Sequence, residues 1–227
     1  MVRIAQKNKG LAFAILIGGK SSRFGSDKGI FEFQGKPLIS YQLEVLSKFD
    51  KDIFLVAKSR EQVQKYAKEI DITDLMGFIV DDRSLVENEN LRTPMIGLYS
   101  VFKELKELEY QKLFILSCDM PLIQKNIIEL LIQECHGYDC CIPKWDNGFV
   151  EPLFGIYPIE KAYKKSKEFL KEGVYKLINF FENDWKMNYI PVEGKIQQYD
   201  SNLLTFININ APVDVEELMK LYKAESK

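Results

Sequence analysis

Apolar positions follow two rhythms along this chain. Residues 11–17, 52–57, 77–80 and 112–117 are short, nearly unbroken apolar runs, with the length and β-branched content of buried strands. The segments between them repeat apolar residues every three or four positions, as helices with one buried face do. Pro37 opens the first, expected to run to about Lys48, with Leu38, Tyr41, Leu43, Val45 and Leu46 as its stripe. Further helices are expected over residues 60–69, 94–108 and 125–134. Alternation of strand and helix through the first 135 residues predicts βαβ units around a mostly parallel sheet.

The second half is less regular. Residues 138–143 and 153–157 read as strands around the turn Asp146-Asn147-Gly148, and Asn-Gly is a strong hairpin signal. An antiparallel insertion of that kind makes the sheet mixed. Helices over 159–170 and 174–181, strands over 187–192 and 205–209, and a closing helix over 213–223 complete the reading. No repeat, low-complexity tract or Pro/Gly linker interrupts the chain, so one domain, residues 1–227, is expected.

Composition changes this picture mainly by exclusion. Thirty-one Lys and Arg against 33 Asp and Glu leave a net charge of -2, with no broad basic face for nucleic acid. Residues 11–17 are too few to cross a bilayer, and no small-residue cleavage site follows Ile17. The four cysteines, Cys118, Cys135, Cys140 and Cys141, form no C-x-x-C pair, and His136 is the single histidine. Zinc ligation and Ser-His-Asp hydrolysis are therefore disfavoured, and a reduced cytoplasmic setting is expected.

Candidate chemistry is concentrated after the first strand. Residues 18–28, GGKSSRFGSDK, hold three glycines, three serines and three cations. Glycine lets backbone N–H groups approach an anion closely, Arg23 can fork onto phosphate oxygens, and Lys28 is a mobile point charge. The spacing fits neither a Walker A loop nor a dinucleotide fingerprint. Asp119 ends the fourth strand, where a carboxylate beside phosphates suits a hard cation, although a turn or cap before Pro121 would also use it. Asp81 and Asp82 end the third strand. Asn208 and Asn210 would share one face of a strand, or Asn210 would cap the last helix.

Residues 16–28, LIGGKSSRFGSDK, resemble the L-x-G-G-x-S-x-R-[MF]-G-x-D-K signature of the molybdenum cofactor guanylyltransferase family, within the nucleotidyltransferase superfamily. Gly35-Lys36-Pro37-Leu38, the C-D-x-P segment at Asp119, Glu151-Pro152-Leu153-Phe154-Gly155 and residues 206–214 (FININAPVD) resemble later family motifs. The resemblance implies an α/β Rossmann-like three-layer sandwich with a mostly parallel, mixed sheet. It also implies transfer of GMP from GTP to a molybdopterin-type cofactor, giving a guanine dinucleotide and pyrophosphate. Mg2+ is the implied cofactor, with Asp119 as its ligand. Arg23, Lys28 and Asp119 would carry the chemistry. Leu16, Ile17, Gly18, Gly19, Lys28, Asp82 and Asp119 would bind nucleotide, with Asp81 the neighbouring alternative to Asp82. Asn208 and Asn210 would serve the acceptor side. Molybdoenzymes or other proteins of cofactor biosynthesis are implied partners; nucleic acid and membrane are not.

Thr93 stands where the family has the first glycine of G-P-L-x-G-L, an expected narrowing of the nucleotide pocket. Residues 56–59 (VAKS) lack the asparagine the family often offers to the nucleobase. Cytidylyl transfer to the same cofactor, sugar-phosphate nucleotidyl transfer and noncatalytic nucleotide binding remain open on the sequence.

Overall fold

β1 (Lys9–Leu16) lies within a seven-stranded sheet in the computed structural model, which describes residues 9–18, 27–181, 184–210 and 213–214. A small hairpin of β2 (Glu32–Phe33) and β3 (Lys36–Pro37) follows, then α1 (Leu38–Leu46), β4 (Ile53–Ala57), α2 (Arg60–Glu69) and β5 (Gly77–Val80). After these come α3 (Pro94–Glu107), β6 (Tyr110–Ser117), α4 (Lys125–Glu134), β7 (Cys140–Lys144), β8 (Phe154–Pro158), α5 (Ile159–Glu172) and β9 (Met187–Pro191).

The sheet order is β5-β4-β1-β6-β8-β7-β9, with β8 antiparallel to both neighbours and the other pairings parallel. β1 shows why three layers form. Phe13, Ile15 and Ile17 face α1, α2 and α4, while Ala12, Ala14 and Leu16 face α3 and α5. The strand is apolar on both faces because helices cover both. The small side chains of Ala12 and Ala14 suit close approach by α3, whose Val101 and Phe102 are fully buried. Each large buried side chain, such as Phe13 or Phe114, contributes about 1.5–3 kcal/mol by leaving water.

Strand order reverses direction between β1 and β6, and in open α/β sheets the ligand crevice lies beyond the strand ends at such a point. Register carries Leu16, Val56, Val80 and Ser117 to one rim. The reversed β8 pairs Phe154 with Leu116, so the start of β8 reaches that same rim.

The sheet and most helices follow the sequence pattern, and three segments differ. Residues 174–181, expected as a helix, form only a 3-10 turn, Leu177–Phe181. Gly173, at φ 72°, ends α5 in the left-handed region, and Phe180 is held among Phe102, Phe169 and Trp185. Residues 205–209, expected as a strand, have no ladder. A 3-10 turn at Leu204–Phe206 replaces its start because the buried Asp200 carboxylate accepts the N–H groups of Leu204 and Thr205 at 2.9 and 2.8 Å. Pro37 precedes α1 instead of lying in it, since β2 and β3 close through Gln34-Gly35, both at positive φ as a tight hairpin requires. Gly19, Arg23 and most of the helix expected over 213–223 lie outside the described residues.

Candidate active site

Lys28 begins a 3-10 turn, Lys28–Ile30, beyond the glycine-rich stretch. Its ammonium donates to Asn210 Oδ1 at 3.1 Å and lies 3.5 Å from Asp119 Oδ2. The chain thus joins three sequence-predicted residues from separate segments. Asp119 follows β6, held at the rim by the Cys118 N–H bond to the Leu16 carbonyl. Its own carbonyl accepts the Ile209 N–H at 2.8 Å, drawing residues 207–210 across the crevice. Along that segment Ile209 is buried while Asn208 and Asn210 are exposed, so the expected alternation survives without a strand. Asn208 turns its amide back to the Phe206 carbonyl, whereas Asn210 accepts from Lys28.

Asp119 has a further property. Its second oxygen, Oδ1, is buried and has no hydrogen-bond partner among the described residues. An unmatched buried carboxylate oxygen is costly unless a cation or donor completes it. Among the described residues, no group of three or more His, Cys, Asp and Glu side chains forms a metal cage. One carboxylate nevertheless fits Mg2+, which keeps waters and takes its other ligands from phosphate.

Behind Lys28 lies a network not foreseen from sequence. The Asp27 carboxylate accepts from the Tyr66 hydroxyl at 2.6 Å and from the Gln62 amide, both on α2. Gln62 also donates to the Ile17 carbonyl at 2.9 Å and accepts the Lys58 N–H at 2.8 Å. Ile17 donates its own N–H to Val56, so its backbone is fully paired and its side chain lies in the core. A Cβ on Gly18 would stand 3.3 Å from the Lys58 nitrogen. Gln62 and Tyr66 sit four apart on a largely polar helix and are nearly completely buried, which nothing in their sequence signals.

The β5 end separates its two acids. Asp82 turns to Lys103, 2.7 Å away, and accepts from the Ser84 N–H, while its own N–H is held by Ser100. Burial pushes its carboxyl up, but Lys103 and Ser84 outweigh this and bring it down to about 2. Asp81 instead approaches α3: a Cβ on Gly97 would lie 3.4 Å from its Oδ1. Burial raises the Asp81 carboxyl to about 6, with Arg83 and Arg92 opposing. Thr93 caps α3, accepting the Met95 N–H.

Across the crevice, Trp145 donates its indole N–H to Glu151 at 2.7 Å and packs edge-on to Phe206, 5.5 Å between centroids. Burial raises the Glu151 carboxyl, the Trp145 bond pulls it back, and the charge of Asp119 raises it further. The rim therefore carries a cation–acid pair at its centre, an acid toward β5, and an aromatic wall with a second acid toward β8.

A family profile described as the MobA-like NTP transferase domain matches residues 13–183. The chain belongs to the MobA-like NTP transferase family. Within that family it is 32% identical over 213 residues to a probable molybdenum cofactor guanylyltransferase of Thermococcus gammatolerans, covering 91% of this chain and 98% of that protein. It is 30% identical over 211 residues to a protein of the same description from Pyrococcus horikoshii, covering 90% and 97%. Among solved structures, molybdopterin-guanine dinucleotide biosynthesis protein A of Archaeoglobus fulgidus superposes with a TM-score of 0.74 at 26% identity, covering 94% of this chain and 99% of that one. Among the described residues of this MobA-like chain, no helix is long and apolar enough to cross a membrane.

Proposed function

We propose that this protein transfers GMP from GTP to the phosphate of a molybdopterin-type cofactor, forming a guanine dinucleotide cofactor and releasing pyrophosphate. One observation carries the reading: Lys28, Asp119 and Asn210 meet at the strand rim, with an Asp119 oxygen buried and unmatched. Such a centre suits a polyanion bound with a hard cation.

In this reading Lys28 leaves its contact with Asp119 to neutralise the triphosphate, and Arg23 joins it from the glycine-rich stretch. Gly18 and Gly19 let backbone N–H groups close on the phosphates. Asp119 would hold Mg2+, which when bound would supply charge neutralisation for the reacting phosphates. The acceptor phosphate attacks in line with departing pyrophosphate, so the protein's work is positioning and electrostatic stabilisation. Asn210 orients Lys28 and reaches toward the acceptor side, with Asn208 beside it. At the β5 end Asp82 is engaged with Lys103 and the turn at Ser84, which favours Asp81, beside Gly97 of α3, as the acid for the nucleoside.

The test is incubation with Mg2+, molybdopterin cofactor and GTP, CTP or UTP in turn, with products identified by mass. A guanine dinucleotide product with equimolar pyrophosphate is expected. A cytosine product, or none with any triphosphate, overturns the assignment.

A further inference from the structure

Gln62 and Tyr66 hold the chain at the start and near the end of the glycine-rich stretch. Gln62 ties the Ile17 carbonyl on its upstream side at 2.9 Å, and with Tyr66 it ties the Asp27 carboxylate on its downstream side. Ser59 caps α2 by accepting the Gln62 N–H, and Gln62 Oε1 accepts the Lys58 N–H, so the gripping amide is fixed at both its atoms. Tyr66 is completely buried. Gly29 lies directly against it, and a Cβ there would stand 2.3 Å from the Tyr66 oxygen.

We infer that Gln62 and Tyr66 are positioning residues for triphosphate binding, acting through Asp27 on the adjacent Lys28. Asp27 directly precedes Lys28, so holding it leaves the Lys28 stem less freedom to lose when the ammonium pairs with phosphate, and the anchors raise affinity without touching the ligand. Asp27 is one residue from Lys28, so the grip also sets where the Lys28 stem starts. Gly29 is part of the device because any larger residue drives the Tyr66 hydroxyl off Asp27.

The inference rests on the proposed nucleotide site, and its test keeps the two apart. Affinities for Mg-GTP and for inorganic tripolyphosphate, a probe without a base, are measured by calorimetry for wild type, Tyr66→Phe, Gln62→Leu, Gly29→Ala and the double variant Gly29→Ala/Tyr66→Phe. Thermal unfolding of each is followed by circular dichroism. Tyr66→Phe should weaken both ligands by a common factor of about 5–20, as loss of one charge-assisted bond predicts. Gly29→Ala should weaken them at least as much. The double variant should bind little worse than Tyr66→Phe alone, because removing the hydroxyl relieves the 2.3 Å clash and leaves only ring-carbon contacts of 3.2 Å for the added methyl. KM for GTP should rise by the same factor, with kcat changed less. Wild type that binds neither ligand defeats the proposed function. Wild type that binds both, with folded Tyr66→Phe and Gln62→Leu binding equally well, overturns the positioning role. Additive losses in the double variant also overturn it.

Discussion

Replacing Lys28 by Met should split two properties that usually move together. In the free protein the ammonium lies 3.5 Å from Asp119 Oδ2, with side-chain exposures of 12% and 24%. At an effective dielectric of about 20, that separation corresponds to a gross attraction of about 5 kcal/mol. Solvent reaching both partly exposed groups, and side-chain ordering, reduce the net value to about 1–2 kcal/mol. A divalent ion binding Asp119 without nucleotide must overcome that attraction, because Lys28 already occupies one carboxylate oxygen. Lys28→Met removes the competitor, so Mn2+ affinity measured by electron paramagnetic resonance should rise about 5- to 30-fold. The same variant loses a cationic phosphate contact worth about 1.5–3 kcal/mol, so kcat/KM for GTP should fall roughly 10- to 150-fold. Tighter metal with poorer turnover is the signature. Unchanged or weaker Mn2+ binding, with turnover retained, would refute the view that Lys28 and the metal share Asp119.

Other outcomes follow from groups around the rim. The Asp81 carboxyl is raised by burial from 3.8 to about 6, so the folded chain keeps a proton there that the unfolded chain has released. Its contribution to stability is therefore greatest below about pH 4 and declines as pH rises through about 6. Urea titrations of wild type and Asp81→Asn should diverge across that window, and parallel curves would count against it. Asp200→Ala leaves the buried N–H groups of Leu204 and Thr205 unmatched and should cost about 3 kcal/mol, read from urea midpoints; a loss below about 1 kcal/mol would disprove the capping role. Trp145→Phe keeps the ring beside Phe206 but removes the donor to Glu151. It should destabilise by about 1–2 kcal/mol and move the Glu151 carboxyl further up, measurable by carbon-13 NMR titration.

Much of this architecture was legible because period and burial agree. β1, α2, β5 and α4 lie where apolar runs and stripes place them, and Thr93-Pro94 marks the start of α3 by its own capping chemistry. Lys28, Asp119 and Asn210 were legible as residue types at strand ends. Their convergence was not, since it depends on the Ile209 bond to the Asp119 carbonyl between distant segments. Residues 205–209 misled because their alternation is real while the Asp200 cap forbids a ladder. Gln62 and Tyr66 gave no warning: on a polar helix they resemble surface residues, and only folding shows that they are buried. Adjacent Asp81 and Asp82 could not be told apart in sequence, because their difference comes from Lys103 on one side and Gly97 on the other.

The reversal of β8 divides this catalyst into independently adjustable halves. Parallel strands alone would deliver only their trailing loops to the rim, each committed to a crossover helix. A single strand run backwards brings a hairpin to the same edge, and its tip, residues 146–149, is exposed between the anchored Trp145 and Val150. Residues at that exposed tip can be exchanged without disturbing the helices behind the Lys28–Asp119 side. Under the proposed reaction, exchange of those residues would alter the acceptor side and leave the Lys28–Asp119 centre intact.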